Sequence, residues 1–408
     1  MMGFIRNKRM DVRKLNEKCE VQKRCGGCTY FETAYEEQLK AKTKMVQELI
    51  SKKVSKEIKV KETIGMEKPY NYRNKGKFAF GLDKNKKPVM GFFEEGTHHI
   101  IPFESCIIQN EIINEVAKYT FELIKKYKIS IYNEDTQKGF LRHMVIKYGM
   151  KSKEIMIIFV TVNAKMSNRD KIIKELLAKF PNIKTVVQNI NEKQTNAILG
   201  NKNYNLYGNG YIVDYLNGYK FKISPLSFYQ VNPIQTEKLY NKAIELAQLD
   251  GKEIVYDLYS GIGTISLCVS KKAKKVYGIE VVTDAVKDAK KNAEINNIKN
   301  VEFVSGKVEV VLPRLCKIWN KADVVIVDPP RSGLDIKSLE TLKQIKPKKI
   351  VYISCNPETL VLNLQELTKF YDVKEVQPFD MFPFTRTCGS LCIARVKKLT
   401  LVDELYLI

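Results

Sequence analysis

A cysteine closes an apolar, largely β-branched run at Val351-Tyr352-Ile353-Ser354-Cys355-Asn356-Pro357. A parallel strand ending there opens into a crevice, so the thiol of Cys355 is presented for nucleophilic chemistry. Two earlier apolar runs also end in polar tips. Val324-Val325-Ile326-Val327 leads into Asp328-Pro329-Pro330-Arg331, and Ile254-Val255-Tyr256 leads into Asp257-Leu258-Tyr259-Ser260-Gly261-Ile262-Gly263-Thr264. Strand ends of this kind in one doubly wound unit describe a nucleotide-cofactor site with a nucleophile beside it.

Gly261 and Gly263 allow the turn backbone to lie close to a ligand with no Cβ in the way. The next strand, Lys275-Val276-Tyr277-Gly278-Ile279-Glu280, ends in a carboxylate placed to bind both ribose hydroxyls of an adenosine. A pyrophosphate would call for a third glycine and would be repelled by Asp257 at the mouth of the turn. A cofactor with a positive centre fits better, and S-adenosylmethionine, with its sulfonium and ammonium groups, is the expectation. The bland alternative is that the glycines only close a βα turn and Glu280 caps a helix. A thiolate beside a methyl donor suits a target atom that cannot attack unaided, such as C5 of a pyrimidine. Addition of sulfur to C6 turns C5 into a carbanion-like centre that takes the methyl group.

The elements that must hold these groups follow from the texture of the chain. After about residue 223, apolar strands alternate with helical stretches of ten or more residues, the pattern of a parallel α/β sheet. From about Lys59 to Lys222, short strands near 76–81, 89–93, 155–162 and 185–190 are interleaved with helical stretches near 110–127 and 168–179, which predicts an α+β domain. Residues 34–53 read as an amphipathic helix with Tyr35, Leu39, Val46 and Leu49/Ile50 on one face. The first thirty residues are basic, poor in large apolar side chains, and contain Cys19, Cys25 and Cys28, so they need a staple. The expected organisation is a basic segment with clustered cysteines over 1–30, a central α+β domain over 31–222, and a Rossmann-like α/β catalytic domain over 223–408.

A chain of 408 residues that is 44% hydrophobic has room for two or three domains with real cores. The excess of 69 Lys+Arg over 46 Asp+Glu, a net charge of +23, points to a polyanionic partner with nucleic acid first, although a lysine-rich proteome supplies part of it. No apolar run approaches the roughly 18 residues of a membrane span, and the start Met1-Met2-Gly3-Phe4-Ile5-Arg6 runs into charges. A cytoplasmic monomer without membrane contact is expected. Nine cysteines in such a chain argue for metal or catalysis where clustered, and for core packing where scattered, as at Cys268, Cys316 and Cys392. Three clustered thiols with an isolated fourth, Cys106, can hold a metal or cluster that ties the weak N-terminal segment to the central domain.

Taken in order, Ser224-Pro225, Phe228-Tyr229-Gln230-Val231-Asn232, Asp257 to Thr264, Glu280, Asp328-Pro329-Pro330-Arg331, Ser354-Cys355-Asn356-Pro357 and Asp380-Met381-Phe382-Pro383 resemble one family, the RNA uracil-C5 methyltransferases. The resemblance covers nearly the whole chain from Cys19 onward. It implies that Cys355 is the nucleophile and that Gln230, Tyr259, Thr264, Glu280 and Asp328 fall on cofactor or base contacts. It also implies that Cys19, Cys25, Cys28 and Cys106 hold a four-iron four-sulfur (4Fe-4S) cluster, as in the branch that acts on 23S rRNA, with tRNA as the other candidate substrate. Zinc, helped by His98 and His99 near Cys106, is the competing occupant. The chain departs from the family twice. It has no room before Cys19 for the small β-barrel RNA-binding domain, so Arg73, Lys75, Arg142 and His143 of the central domain are expected to carry more of the RNA contact. Gly389 stands where the family's proton-removing glutamate is expected, which leaves Cys388 as the nearest substitute base. An RNA-binding protein without turnover and a methyltransferase of altered specificity, for example toward cytidine C5, are the alternatives that Gly389 raises.

Overall fold

A computed structural model describes residues 19, 21–193, 197–319 and 322–396; the basic stretch ahead of Cys19 lies outside them. A short helix α1 (Gln22–Cys25) carries the second clustered cysteine, and α2 (Tyr35–Lys53) follows. The buried positions of α2 are Tyr35, Gln38, Lys42, Val46 and Ile50, spaced by three and four residues on one helix face. Strand β1 (Lys59–Val60) then precedes the central domain.

The central domain comprises β2 (Lys75–Leu82), β3 (Pro88–Phe93), β4 (Ile100–Pro102), α3 (Glu111–Lys126), β5 (Leu141–Tyr148), β6 (Ile155–Thr161), α4 (Arg169–Lys179), β7 (Ile183–Ile190) and β8 (Lys202–Gly208). Its strands form one sheet in the order β4-β3-β2-β5-β6-β7-β8. Phe78, Phe80, Met144, Ile146 and Phe159 turn one face of this sheet onto Ile113, Val116 and Leu123 of α3 and Ile172 and Leu176 of α4. On the opposite face Val145, Met156, Ile158 and Val187 join the core of the C-terminal half. Contact with that half is made through a hairpin, β9 (Ile212–Leu216) and β10 (Tyr219–Ile223).

The C-terminal unit alternates α5 (Pro233–Ala247), β11 (Ile254–Leu258), α6 (Thr264–Ser270), β12 (Lys275–Glu280), α7 (Thr283–Ile295), β13 (Val301–Ser305), α8 (Val308–Trp319), β14 (Val324–Val327), α9 (Ile336–Ile345), β15 (Lys349–Ser354), α10 (Pro357–Leu367), β16 (Tyr371–Phe379) and β17 (Gly389–Val396). The sheet order is β1-β16-β17-β15-β14-β11-β12-β13, with only β17 antiparallel to its neighbours. Its central strands are buried on both faces, which is why they read as continuous apolar runs. This is the doubly wound α/β architecture expected for residues 223–408.

One boundary differs from the expected 31–222 unit. Residues 35–60 sit with the C-terminal sheet: β1 pairs in parallel with β16, Lys59 opposite Glu375 and Val60 opposite Val376, and α2 packs beside α10 and β16. The periodicity of 34–53 revealed a buried face, but nothing in it said which sheet would cover that face. Lys42, expected among the solvated residues of α2, places Nζ 2.5 Å from Asp380 Oδ1 with both side chains fully buried, and also donates to Phe382 O at 3.1 Å. Tyr35 Oη donates to the other Asp380 oxygen at 2.8 Å. No helix among the described residues is long and apolar enough to cross a membrane.

Candidate active site

The chain runs outward from β11 to β12 and β13, then returns to lay β14 and β15 on the other side, so β11 and β14 flank a topological switch point. Crevices for ligands form at the carboxyl ends of strands at such points. The turn leaving β11 holds Tyr259, Gly261 and Gly263 at φ of 65°, 54° and 83°. A Cβ on Gly263 would lie 2.6 Å from Phe303 Cζ, whereas one on Gly261 would meet nothing within 4 Å, so Gly261 faces open space. Tyr259 takes the left-handed conformation without being glycine, and its hydroxyl lies 3.1 Å from Ser338 Oγ.

Glu280 closes this side. Its Oε2 accepts from Gly261 N at 3.0 Å and its Oε1 from Val282 N at 2.8 Å, so the carboxylate is aimed by main-chain donors on both oxygens. Beside it lies a cleft of about 460 Å³ lined by Ser224 to Phe228, Gly261, Glu280, Val282 and Asp288. Phe228 and Val282 are more than half exposed in its lining, an apolar rim suited to a flat ring. The Ser224–Phe228 segment is propped by a residue that the sequence reading missed. Lys147, on β5 of the central domain, donates to Ser224 O at 2.8 Å and Ser227 O at 2.9 Å, and Ser227 Oγ donates to Asp288 Oδ2 at 2.7 Å. Burial and the neighbouring Lys75 pull the Lys147 ammonium down to about 7. A lysine in the otherwise buried strand Leu141–Tyr148 was the signal available.

Gln230 and Thr264 hang from the same framework. Asn74 of the central domain donates through Nδ2 to Gln230 O at 3.1 Å, and Thr264 Oγ1 lies 3.1 Å from Tyr240 Oη. Asp257 does not lie at the mouth of the turn as expected. It is fully buried, accepts from Ser266 Oγ at 2.5 Å, and leaves Oδ1 without a partner. Burial pushes its carboxyl up to about 7, with Asp328 and Glu280 adding repulsion. Asp328, at the end of β14, is likewise raised to about 7 by burial.

Cys355 follows directly on β15. Asn356 caps the next helix, its Oδ1 accepting from Glu358 N at 3.1 Å with Pro357 in the first turn; Asn232-Pro233 opens α5 in the same way. The thiol is half-buried and sits at a helix N-terminus, a position that favours a thiolate. Burial and then Asp328 nevertheless raise its pKa, against lowering by its own main chain and Arg331. Asp257 is thus coupled electrostatically to Asp328 and Glu280, and Cys355 to Asp328.

Cys388 is not brought to it. The residue is fully buried, Sγ donates toward Gly389 O at 3.3 Å and Phe379 O at 3.7 Å, and burial pushes the thiol up to about 12. Gly389 opens β17 opposite Phe379, and Ser390 stands opposite Ser354. A Cβ added at Gly389 would lie 2.9 Å from Met381 Cγ, so the methionine fills the space a larger side chain would need.

The remaining thiols gather elsewhere. Cys28 is pushed up to about 12 by burial and by Cys106, Cys19 and Cys25, and Cys106 meets the N–H groups of Ile108 and Gln109. The four sulfurs therefore share one neighbourhood, although among the described residues no three His, Cys, Asp or Glu side chains are grouped as ligands of a metal ion. Cys268 and Cys392 are buried in the core and Cys316 is half-buried against it.

A family model for tRNA (uracil-5-)-methyltransferases matches residues 34–395. The chain belongs to this family. It is 46% identical over 383 residues to an uncharacterized RNA methyltransferase of Bacillus cereus, covering 93% of this chain and 83% of that one. A second uncharacterized RNA methyltransferase, from Caldanaerobacter subterraneus subsp. tengcongensis, is 46% identical over 381 residues, covering 93% and 84%. Among solved structures, the tRNA (uracil-54, C5)-methyltransferase of Pyrococcus abyssi in complex with S-adenosyl-L-homocysteine superposes with a TM-score of 0.74 at 28% identity, covering 90% of this chain and 85% of that one. The chain is an RNA methyltransferase, and the crevice at the switch point is its candidate active site.

Proposed function

We propose that the chain methylates C5 of a uridine in RNA with S-adenosylmethionine, through a transient bond between Cys355 and C6. The observation that carries this is the placement, on the strand ends β15-β14-β11-β12 of one sheet, of the half-buried Cys355 thiol and the Asp328 carboxyl next to an open cleft that ends in the oriented carboxylate of Glu280. The cleft fits the donor: Glu280 faces the ribose hydroxyls, Phe228 and Val282 border the adenine, and the open side of Gly261 admits the chain of the ligand. S-adenosylmethionine supplies an electrophilic methyl group.

Asp328 accepts the Cys355 proton, which its raised pKa permits near neutrality. The thiolate forms the S–C6 bond while the C5=C6 electrons move toward the C4 oxygen. C5 then takes the methyl group as its bond to the donor sulfonium breaks, leaving S-adenosylhomocysteine, and loss of the C5 proton re-forms the double bond and expels the thiolate. With glycine at 389, Met381 packed against it and Cys388 sealed in the core, the C5 proton passes to water, and release is the slow step. Gly389 thereby favours slow turnover over loss of methyl transfer.

The substrate we favour is 23S rRNA, on the resemblance of Cys19, Cys25, Cys28 and Cys106 to the cluster cysteines of that branch, and to them we assign a 4Fe-4S cluster with a structural role. The Pyrococcus abyssi likeness favours tRNA as the second reading. Arg73 and Lys75 are proposed to meet the RNA; Arg142, expected beside them, is buried with its guanidinium donating to Asn191 O, Lys193 O and Glu134 Oε1, and His143 is buried beside Phe93. Mass-spectrometric mapping of 5-methyluridine in 23S rRNA and tRNA, from cells with and without the protein, decides between the substrates, and an unchanged map in both overturns the uridine assignment. Anaerobic purification with iron and sulfide analysis tests the cluster, and stoichiometric zinc without iron excludes it.

A further inference from the structure

The β2 strand alternates sides, so Lys75, Lys77, Ala79 and Gly81 share one face while Gly76, Phe78 and Phe80 turn to the core. Across the ladders, Ala79 pairs with His143 on β5 and with Gly91 on β3, which brings Phe93 to the level of Lys77 on the same face. At this edge of the sheet the face is left open. It forms a cleft of about 610 Å³ whose lining includes Gly81, Val89, Phe93, His98, His99 and His143, and so all 3 histidines of the chain. Phe93 stands between two imidazoles, 5.9 Å from the His98 ring at 70° and 6.3 Å from the His143 ring at 76°. Phe93 as a residue remains 38% exposed. These are edge-on aromatic walls with an uncovered face between them.

The approach to this cleft is cationic. Arg73, Lys75 and Lys77 form no ion pair with a carboxylate among the described residues. They repel one another instead, Lys75 being drawn down to about 8 by burial and then by Lys77 and Arg73. An anion laid over them would relieve that repulsion. The stripe begins beside the catalytic crevice, since Asn74 bonds the main chain at Gln230 and Val231. Along β2, Phe93 at the level of Lys77 lies three residues, or roughly 10 Å at about 3.3 Å per residue, beyond the crevice edge at Asn74, a reach of one to two nucleotides past that edge.

We propose that this cleft binds a nucleobase of the RNA strand flanking the target, with the intervening phosphates running along Arg73, Lys75 and Lys77. The site rests on the RNA reading above. Stacking on Phe93 between the two imidazoles makes it tolerant of base identity, and its distance makes it sensitive to RNA length.

Fluorescence anisotropy with two single-stranded RNAs, a 20-mer of mixed sequence with one central uridine and a 4-mer around the same uridine, separates the outcomes. Phe93→Ala should weaken 20-mer binding about 5- to 150-fold, the loss of one stacked base, and His98→Ala should weaken it less. Both should leave 4-mer binding within twofold, and Lys77→Ala should flatten the salt dependence of the 20-mer. Calorimetric donor binding at parental affinity shows that each variant is folded. Equal loss for both lengths, or unchanged 20-mer affinity in both ring variants, overturns the proposal, the latter assigning the cleft to another occupant such as a protein segment. If the parent binds neither RNA, the RNA reading falls with it. If the parent binds and methylates RNA but the ring variants match it, only the second base site falls.

Discussion

The two sides of the catalytic crevice, built on neighbouring strand ends of one sheet, are finished to different degrees. On the donor side, Glu280 is held through both oxygens by main-chain N–H groups, Gly261 is open, and the Ser224–Phe228 wall is pinned from the central domain by Lys147. On the acceptor side, Cys355 and Asp328 are in place, yet the position of the family's proton acceptor is a glycine overlaid by Met381. In the mechanism proposed above, methyl transfer and product release would rest on separate groups of residues, so that a chain could keep the first while slowing the second.

The largest expected effect tests whether the acceptor side is chemically live. Cys355→Ser should lower transfer of labelled methyl groups to RNA by roughly 10⁴-fold or more while donor affinity stays within twofold; substantial remaining activity would mean that sulfur addition is not the route. Next comes the missing base. The parent should accumulate a methylated RNA adduct, seen as a slow band on a denaturing gel and absent in Cys355→Ser. Gly389→Glu combined with Met381→Ala, which clears the 2.9 Å contact, should dissolve the adduct and speed turnover by about 10²- to 10⁴-fold. Cys388→Ala should leave the adduct level unchanged, and an increase there would restore the buried thiol as a base.

On the donor side, Glu280→Ala should weaken S-adenosylmethionine by about 1.5–3 kcal/mol in calorimetry with RNA affinity unaffected. Undiminished donor binding would move the ribose site elsewhere. The smallest effect concerns stability. Asp257 has its folded-state pKa raised from 3.8 to about 7, so its contribution is fully present below pH ~4 and is lost as pH rises through ~7. Asp257→Asn keeps an acceptor for Ser266 and should remove that loss, raising stability at pH 8 by about 1–3 kcal/mol. Parallel melting-temperature curves for the two proteins from pH 4 to 8 would show that Asp257 is ionised in the fold without penalty.

The strand-end placement of the Asp257–Thr264 turn, Glu280 and Cys355 was legible because each lies where a buried apolar run stops and a polar or glycine tip begins, a change that one-dimensional sequence preserves. The destination of α2 was not, because an amphipathic stripe shows only that something covers it. Lys42 and Gln38 were not read into the buried face, since their partners, Asp380 and the main chain of Tyr30, Thr33 and Phe384, lie up to several hundred residues away. Cys388 could not be ruled out as a base by pattern: residues 388–392 are all buried, so the alternation that separates an inner from an outer face is erased. Asp257 misled in the opposite direction, its strand-end position suggesting a mouth while its side chain turns inward.

The pairing of β1 and α2 with β16 also sets an order of events during synthesis. A helix made among the first residues carries a lysine in its buried stripe, and the carboxylate that neutralises it, Asp380, emerges more than three hundred residues later. At about 5–20 residues per second, the nascent helix waits on the order of 15–60 seconds with an apolar face uncovered and no strand to dock on. The central domain, whose strands neighbour one another in sequence, can condense during that interval. The catalytic sheet closes only when β16 reaches back to the beginning of the chain, making this late, long-range capture the step at which chaperones have the most to protect.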